Sequence, residues 1–425
     1  MSKLIRKKWP SDLSAGPSRR DRRGCDYDVY IPDLLADRKF RFDGAVAADL
    51  VEAEASIVLL NEQVAALRDT EALARLLLRA ESVASSQIEG LEVGGRRLLR
   101  AEAAEEAGVP PEDVTAEEVL GNIEAMRWAV EELASSETVT VTGLLEVHRR
   151  LLANTRLRET AGQVRMEQNW IGGSSFNPCG AAFVPPPHEE LGILLQDLCD
   201  FSNDDSLPAV AQAAIAHAQF ETIHPFTDGN GRTGRALLHV ILKRRGLAQR
   251  VLPPVSLLLA TWSTSYIEAL MATRYVNDPD SDEAKEAMDG WIALFSAACK
   301  HAVSDAAAFE KRIKGIQEEW RSKIGKVRRN SAIDLLIAAL PGAPIITASS
   351  AATLIGRTFQ AANEGIEKLR GSGILSQVTV GRRNRAFEAR DVIQAFTDLE
   401  RQLASPEGDT LTSDPSRMVP GRRQH

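Results

Sequence analysis

Apolar and charged residues alternate at helical spacing through most of this chain. From Val46 to Ala107 the pattern predicts helices, with the clearest stripe running from Leu73 to Ile88. A helical bundle is predicted from Thr115 to about Lys311, and within it two segments differ from their neighbours. Pro208 to Ile223 is apolar and rich in alanine, Ala236 to Arg245 is apolar again, and the short run between them must turn the chain. Residues 1 to 24 and 404 to 425 carry little that could be buried, which predicts a disordered basic arm and a flexible tail.

Beyond Lys323 the period changes. Helices are expected at Ser331 to Ala339, Ser349 to Ile355 and Thr358 to Arg370, the last stopped by Gly371-Ser-Gly373. Two alternating runs follow, Ile374 to Val380 and Ala386 to Glu388, joined by Gly381-Arg-Arg-Asn-Arg385. Three helices and a basic-tipped hairpin resemble a winged helix-turn-helix. Such a module docks DNA with its third helix while Arg382, Arg383 and Arg385 touch phosphates, or it contacts protein instead. Glu364 and Glu367 on the third helix argue against DNA.

The turn between the two apolar segments carries the chemistry. His224-Pro-Phe-Thr-Asp-Gly-Asn-Gly-Arg-Thr-Gly-Arg235 combines a base, a carboxylate, a glycine-rich turn and two arginines in twelve residues. Gly229 and Gly231 let the backbone approach a ligand closely, and a helix beginning near Gly231 would offer its free amides to an anion. Arg232 and Arg235, three apart, stack on that helix's first turn. Together these describe a phosphate site. The plainer alternative is a helix N-terminus with solvated arginines.

This run resembles the signature loop of Fic-domain proteins, most of which transfer AMP from ATP to a hydroxyl side chain of a target protein. The resemblance implies that His224 is the general base and that Asp228 helps hold Mg²⁺. It implies that Asn230 and the amides of Gly229 and Gly231 surround the α-phosphate, and that Arg232 and Arg235 bind the β- and γ-phosphates. Phe226 and Thr227 complete the nucleotide-binding run. Ser85-Ser-Gln-Ile-Glu89-Gly90 alone is an ordinary helix end with a glycine cap. Beside the loop it matches the family's inhibitory motif at Ser85, Glu89 and Gly90, which implies that Glu89 pairs with Arg235 and denies it to the γ-phosphate. Gly162 to Gly173, continuing to Phe183-Val-Pro-Pro-Pro187, is similar to the family's target-binding flap, with a short β-hairpin expected. The alternative is a surface loop tethered by Trp170. Tyr266 stands where relatives place an adenine contact, but Tyr266-Ile267 replaces the paired tyrosines and core packing fits it better.

Composition narrows the setting. A charged content of 26% and a hydrophobic content of 44% are those of an ordinary folded protein, and a net charge of −8 argues against a surface that binds nucleic acid throughout. Neither a membrane span nor a signal core is evident, so a cytoplasmic location is expected. Cys25, Cys179, Cys199 and Cys299 are scattered and read as reduced thiols. His148, His217 and His239 lack metal-ligand spacing and read as packing or surface residues.

The fold class expected is therefore mainly α: a Fic-type bundle with a hairpin flap and a C-terminal winged helix. The divisions are an arm at 1–24, an N-terminal helical region at 25–114, a catalytic core at 115–322, a winged helix at 323–403 and a tail at 404–425. The function expected is an autoinhibited, Mg²⁺-dependent protein adenylyltransferase using ATP, with self-modification possible and a homodimer as its assembly. The alternatives are removal of AMP with Glu89 positioning water, or a nucleotide-sensing transcriptional regulator acting through the winged helix.

Overall fold

The computed structural model describes residues 1–65, 70–109, 113–276, 278–380, 384–403 and 418–420. Its first element overturns the expected disordered arm. β1 (Lys3–Trp9) and β2 (Cys25–Ile31) form an antiparallel hairpin, with Lys3 opposite Ile31 and Trp9 opposite Cys25. The side chains that hold it lie far along the chain. Trp9 sits edge-on to Trp170 at 5.5 Å, and Val29 and Ile31 pack with Val184. Asn177 donates to the carbonyls of Arg20 and Asp21 at 3.0 and 2.7 Å, and Ser174 donates to the Asp21 carboxylate at 2.7 Å. Cys25 is joined to Cys179 in a disulfide, correcting the expectation of four reduced thiols; Cys199 and Cys299 are free and buried. The two cysteines, 154 residues apart, become neighbours only through this packing.

The N-terminal helical region contains α1 (Gly44–Ala65), α2 (Thr70–Ile88), α3 (Gly95–Glu106) and α4 (Val114–Trp128), the last capped by the Asp113 side chain. The bundle continues with α5 (Val141–Leu152), α6 (Leu191–Asn203), α7 (Ala209–Ile223), α8 (Asn230–Arg244), α9 (Val255–Thr261) and α10 (Ser263–Ala272). At its centre α7 is buried on every side and α8 is buried as far as Leu242. An apolar helix with so many alanines admits neighbours all round. α2 is unusual in burying polar residues as well: Arg79, Glu81, Ser82, Ser85 and Ser86 all face the interior. Glu81 meets His239 of α8 at 2.8 Å and accepts from the backbone amide of Ser256 at 2.8 Å, so α2 is keyed into the core rather than laid over it.

α11 (Asp282–Ile324) runs 43 residues and crosses the expected boundary at 322. Trp291, near its start, donates to the Ala214 carbonyl at 2.8 Å, and Trp320, near its end, donates to Asp391 at 2.9 Å. The C-terminal unit follows as α12 (Ala332–Ala339), β3 (Ile345–Ile346), α13 (Ala348–Ile355), α14 (Phe359–Gly371), β4 (Ser376–Val380), β5 (Asn384–Glu388) and α15 (Arg390–Leu403). Ser331, Thr347 and Thr358 cap α12, α13 and α14 through their side chains; the first and last of these starts were readable, and α13 begins one residue before the expected Ser349. β3 is an addition, a two-residue strand too short to show alternation; the sheet order is β3-β5-β4. Arg382, Arg383 and most of the expected tail lie outside the described residues. Arg385 is paired with Glu367. This unit is bonded to the N-terminal helices: buried Glu388 meets Arg96 at 2.6 Å, and Arg79 donates to the Gly342 carbonyl at 3.3 Å. Among the described residues no single helix is long and apolar enough to cross a membrane.

Candidate active site

α7 ends at His224, whose backbone lies in the left-handed region at φ 48° and ψ 60°. A non-glycine residue there costs of order 1–3 kcal/mol, so its surroundings must hold it. They do so through the flap segment. Arg165 donates from Nε to the His224 carbonyl at 2.9 Å and from Nη2 to that of Pro186, while Asn169 reaches the carbonyls of His224 at 3.4 Å and Phe226 at 3.2 Å. The His224 ring is left with Nδ1 buried and without a partner among the described residues. Burial, assisted by nearby Arg274 and Arg165, lowers its pKa to about 4 despite the opposing pull of Glu89. The imidazole is therefore neutral near pH 7 and able to accept a proton.

The loop is locked from below. Asn230 accepts from the Phe226 amide and donates to the Phe226 carbonyl, both at 2.8 Å. Phe226 is fully buried and stacks on His148 with centroids 3.7 Å apart. The Asn230 and Phe226 side chains both face inward and brace the loop. His148 accepts the Gly162 amide on Nδ1 at 3.0 Å and so donates from Nε2 to the Asp228 carbonyl, also at 3.0 Å. Sequence reasoning gave it a packing role; it also joins the flap base to the loop. Gly229, at φ 77°, leaves no room for a Cβ against Leu151. Thr227 is exposed.

α8 begins at Asn230 with no side-chain cap, so the amides of its first turn are open to an anion. The two arginines of that turn differ. Arg232 is 3% exposed, touches Asp228 through Nη2 at 3.1 Å, and leaves Nε and Nη1 unpaired among the described residues. Arg235 is 1% exposed and engaged: Nε donates to Ser85 Oγ at 2.8 Å, and Nη2 donates to the Ser85 carbonyl at 2.8 Å and to Glu89 Oε1 at 2.6 Å. Burial works against both charges of the pair, yet the Arg235 guanidinium holds Glu89 below the usual carboxylate range and the Glu89 charge keeps Arg235 protonated. Gly90, at φ 79°, turns the chain away after α2, and a Cβ at Gly231 would collide with Glu89 Oε1. Ser85, Glu89, Gly90, Gly231 and Arg235 thus meet at one point.

A buried carboxylate escaped the sequence reading. Glu221, three residues before His224, has Oε1 unpaired among the described residues, and burial raises its pKa to about 7. A lone acid in an alanine-rich helix was the available signal. Tyr266 is 3% exposed and its hydroxyl meets His217 Nε2 at 2.7 Å, in keeping with core packing. The flap pairs only at Ile171 with Phe183 and Ser174 with Asn177, less than the hairpin expected. Among the described residues no cluster of three or more His, Cys, Asp or Glu could hold a metal alone. Asp228, 47% exposed, suits Mg²⁺ that takes one or two carboxylates and completes its shell with substrate phosphates and water.

Residues 138–242 match the Fic/DOC family and residues 47–131 match the Fic/DOC family N-terminal region. The chain is 38% identical over 141 residues to protein adenylyltransferase fic-1 of Caenorhabditis elegans, covering 32% of this chain and 26% of that relative. It is 36% identical over 139 residues to protein adenylyltransferase Fic of Drosophila willistoni, with the same coverage. It therefore spans about a quarter of the length of these curated relatives. Among solved structures it is similar to a Fic family protein from Desulfovibrio desulfuricans G20, with a TM-score of 0.51 and 18% identity over 82% of this chain and 97% of that one, a likeness of fold.

Proposed function

Because residues 47–131 and 138–242 match the Fic/DOC family, we propose that this chain is an autoinhibited protein adenylyltransferase. The observation that carries the reading is the contrast between its two buried arginines: Arg232 has donors to spare, and Arg235 is taken by Ser85 and Glu89. ATP lies with its phosphates on the first turn of α8, where those arginines and the free amides supply the positioning and charge that transfer to a hydroxyl needs. Asp228 would be the protein ligand of Mg²⁺, which when bound would neutralise phosphate charge. The target's hydroxyl oxygen bonds to the α-phosphorus, the bond from that phosphorus to the bridging oxygen breaks, and pyrophosphate leaves. His224, neutral and held by Arg165 and Asn169, takes the hydroxyl proton. The flap between Asn169 and Val184 presents the target backbone.

While Glu89 holds Arg235 the γ-phosphate lacks its arginine. Displacement of Glu89 is the activating step, and the chain itself is the first acceptor to test. We read the C-terminal unit as a winged helix that contacts protein, since α14 carries Glu364 and Glu367 and Arg385 is already paired. Incubation of the wild type and Glu89→Gly with ATP labelled at the α- or the γ-phosphate tests the reaction. Label should enter protein from the α-position alone and rise in the variant; label entering from the γ-position would make the chain a kinase and sink the proposal.

A further inference from the structure

The N-terminal hairpin carries a local reversal of charge. Across a chain of net charge −8, the loop of residues 10–24 sets Arg19, Arg20, Arg22 and Arg23 against Asp12 and Asp21. All four arginines are exposed. Among the described residues Arg22 bonds to the carbonyl oxygens of Gly16 and Pro17 and Arg23 to that of Cys179, and neither meets a carboxylate. The loop is also fixed in place. Asn177, Ser174 and the Cys25–Cys179 disulfide bind it to the outer arm of the flap, while Asn169 on the inner arm holds the carbonyl of His224. One rigid segment therefore has the base at one end and a cationic surface at the other.

We propose that this loop is the docking surface for an acidic segment of the protein to be modified. The proposal rests on the adenylyltransferase reading and names its partner class. A target lying along the flap to reach His224 passes Arg19 and Arg20, whose guanidinium groups suit paired carboxylates. Interleaved acids count against a nucleic acid: Asp12 lies within the loop, and Asp26 and Asp28 stand beside it on β2, where Asp28 meets Arg6 at 2.9 Å. Such a surface repels an unbroken run of phosphates and accepts carboxylates that are spaced apart.

The test uses the full chain and fluorescence anisotropy without ATP, with a glutamate-rich peptide bearing one threonine, a lysine-rich peptide and duplex DNA as probes. The glutamate-rich peptide should bind best and should loosen as salt rises. Arg19→Glu/Arg20→Glu should weaken it about tenfold and gain affinity for the lysine-rich peptide, with Arg19→Gln/Arg20→Gln in between. Equal affinity in wild type and charge-reversed variant, or tighter binding to DNA that the variant loses, would overturn the proposal. Thermal melts exclude misfolding as the cause. Because binding is read apart from transfer, failure of the α-label experiment leaves this result interpretable, and normal α-labelling with unchanged peptide binding sinks the docking surface alone.

Discussion

The loop around His224 and the hairpin from Lys3 to Ile31 handle charge in opposite ways. In the loop, Arg235, Glu221 and Arg232 are withdrawn from water, and Arg235, Glu221 and the partly exposed Glu89 alter one another's protonation. In the hairpin the charges stand outside, and what is withdrawn is Val29, Ile31 and the disulfide. Charge in a low-dielectric setting interacts strongly and controls reactivity, whereas exposed charge is screened by salt and chiefly governs encounter. Substitutions in the first region should therefore change rates and pH behaviour sharply, and those in the second should change local order with the chemistry intact.

The largest effect is expected at the base. His224→Ala should lower transfer roughly a hundred to ten thousandfold while ATP binding, measured by calorimetry, stays near wild type. Equal labelling by the variant would place the loop's chemistry elsewhere.

Glu221 tests whether buried charge sets the pH response. The unfolded chain releases this proton near pH 4.5 and the folded chain near 7, so the folded state binds more protons between those values. Its stabilising contribution is complete below the unfolded value and is lost as pH rises through the folded one, on the order of 3 kcal/mol in all. Melting temperatures followed from about pH 4.5 to about pH 8 should show the wild type losing ground against Glu221→Gln. A constant difference between the two would return Glu221 to ordinary exposure.

Glu89→Gly should raise auto-adenylylation by about ten to a hundredfold at subsaturating ATP, the worth of a charged hydrogen bond released from Arg235. No rise, checked again at saturating ATP, would reduce the pair to a structural contact.

The smallest effect belongs to the hairpin. Asn177→Ala removes the bonds to the Arg20 and Asp21 carbonyls and should cost about 1 kcal/mol, seen as faster hydrogen exchange in residues 10–24. ATP binding by the Glu89→Gly background should be unchanged. If ATP binding fell as well, the two regions would share one site after all.

How far each region could be read follows from the same contrast. The loop's base, acid, glycines and arginines are consecutive, so twelve residues disclosed them, and the capped starts of α12 and α14 were legible for the same local reason. The Ser85 and Glu89 contacts to Arg235 span about 150 residues and were reached only through resemblance to a family. Phe226 and Asn230 were placed at the nucleotide through the same resemblance, while their bracing of the loop from within depends on burial that the run alone does not disclose. Arg165 and Asn169 lay in a segment singled out as a flap, yet their target is a backbone carbonyl, which leaves no sequence trace. The hairpin was missed entirely, since its partners begin at Trp170 and its own residues look like a solvated tail.

α11 fixes one further property, its tolerance to length. Its two indole bonds, from Trp291 to Ala214 and from Trp320 to Asp391, sit about 44 Å apart along the axis at the ordinary rise per residue. One inserted residue between them would turn the far bond by about 100° and carry Trp320 off Asp391, and seven would restore the angle to within about 20° but add about 10 Å. The helix is thus a gauge with both a distance and a phase, and no insertion satisfies both. Point changes on its solvent face are tolerable where a change in its length is not.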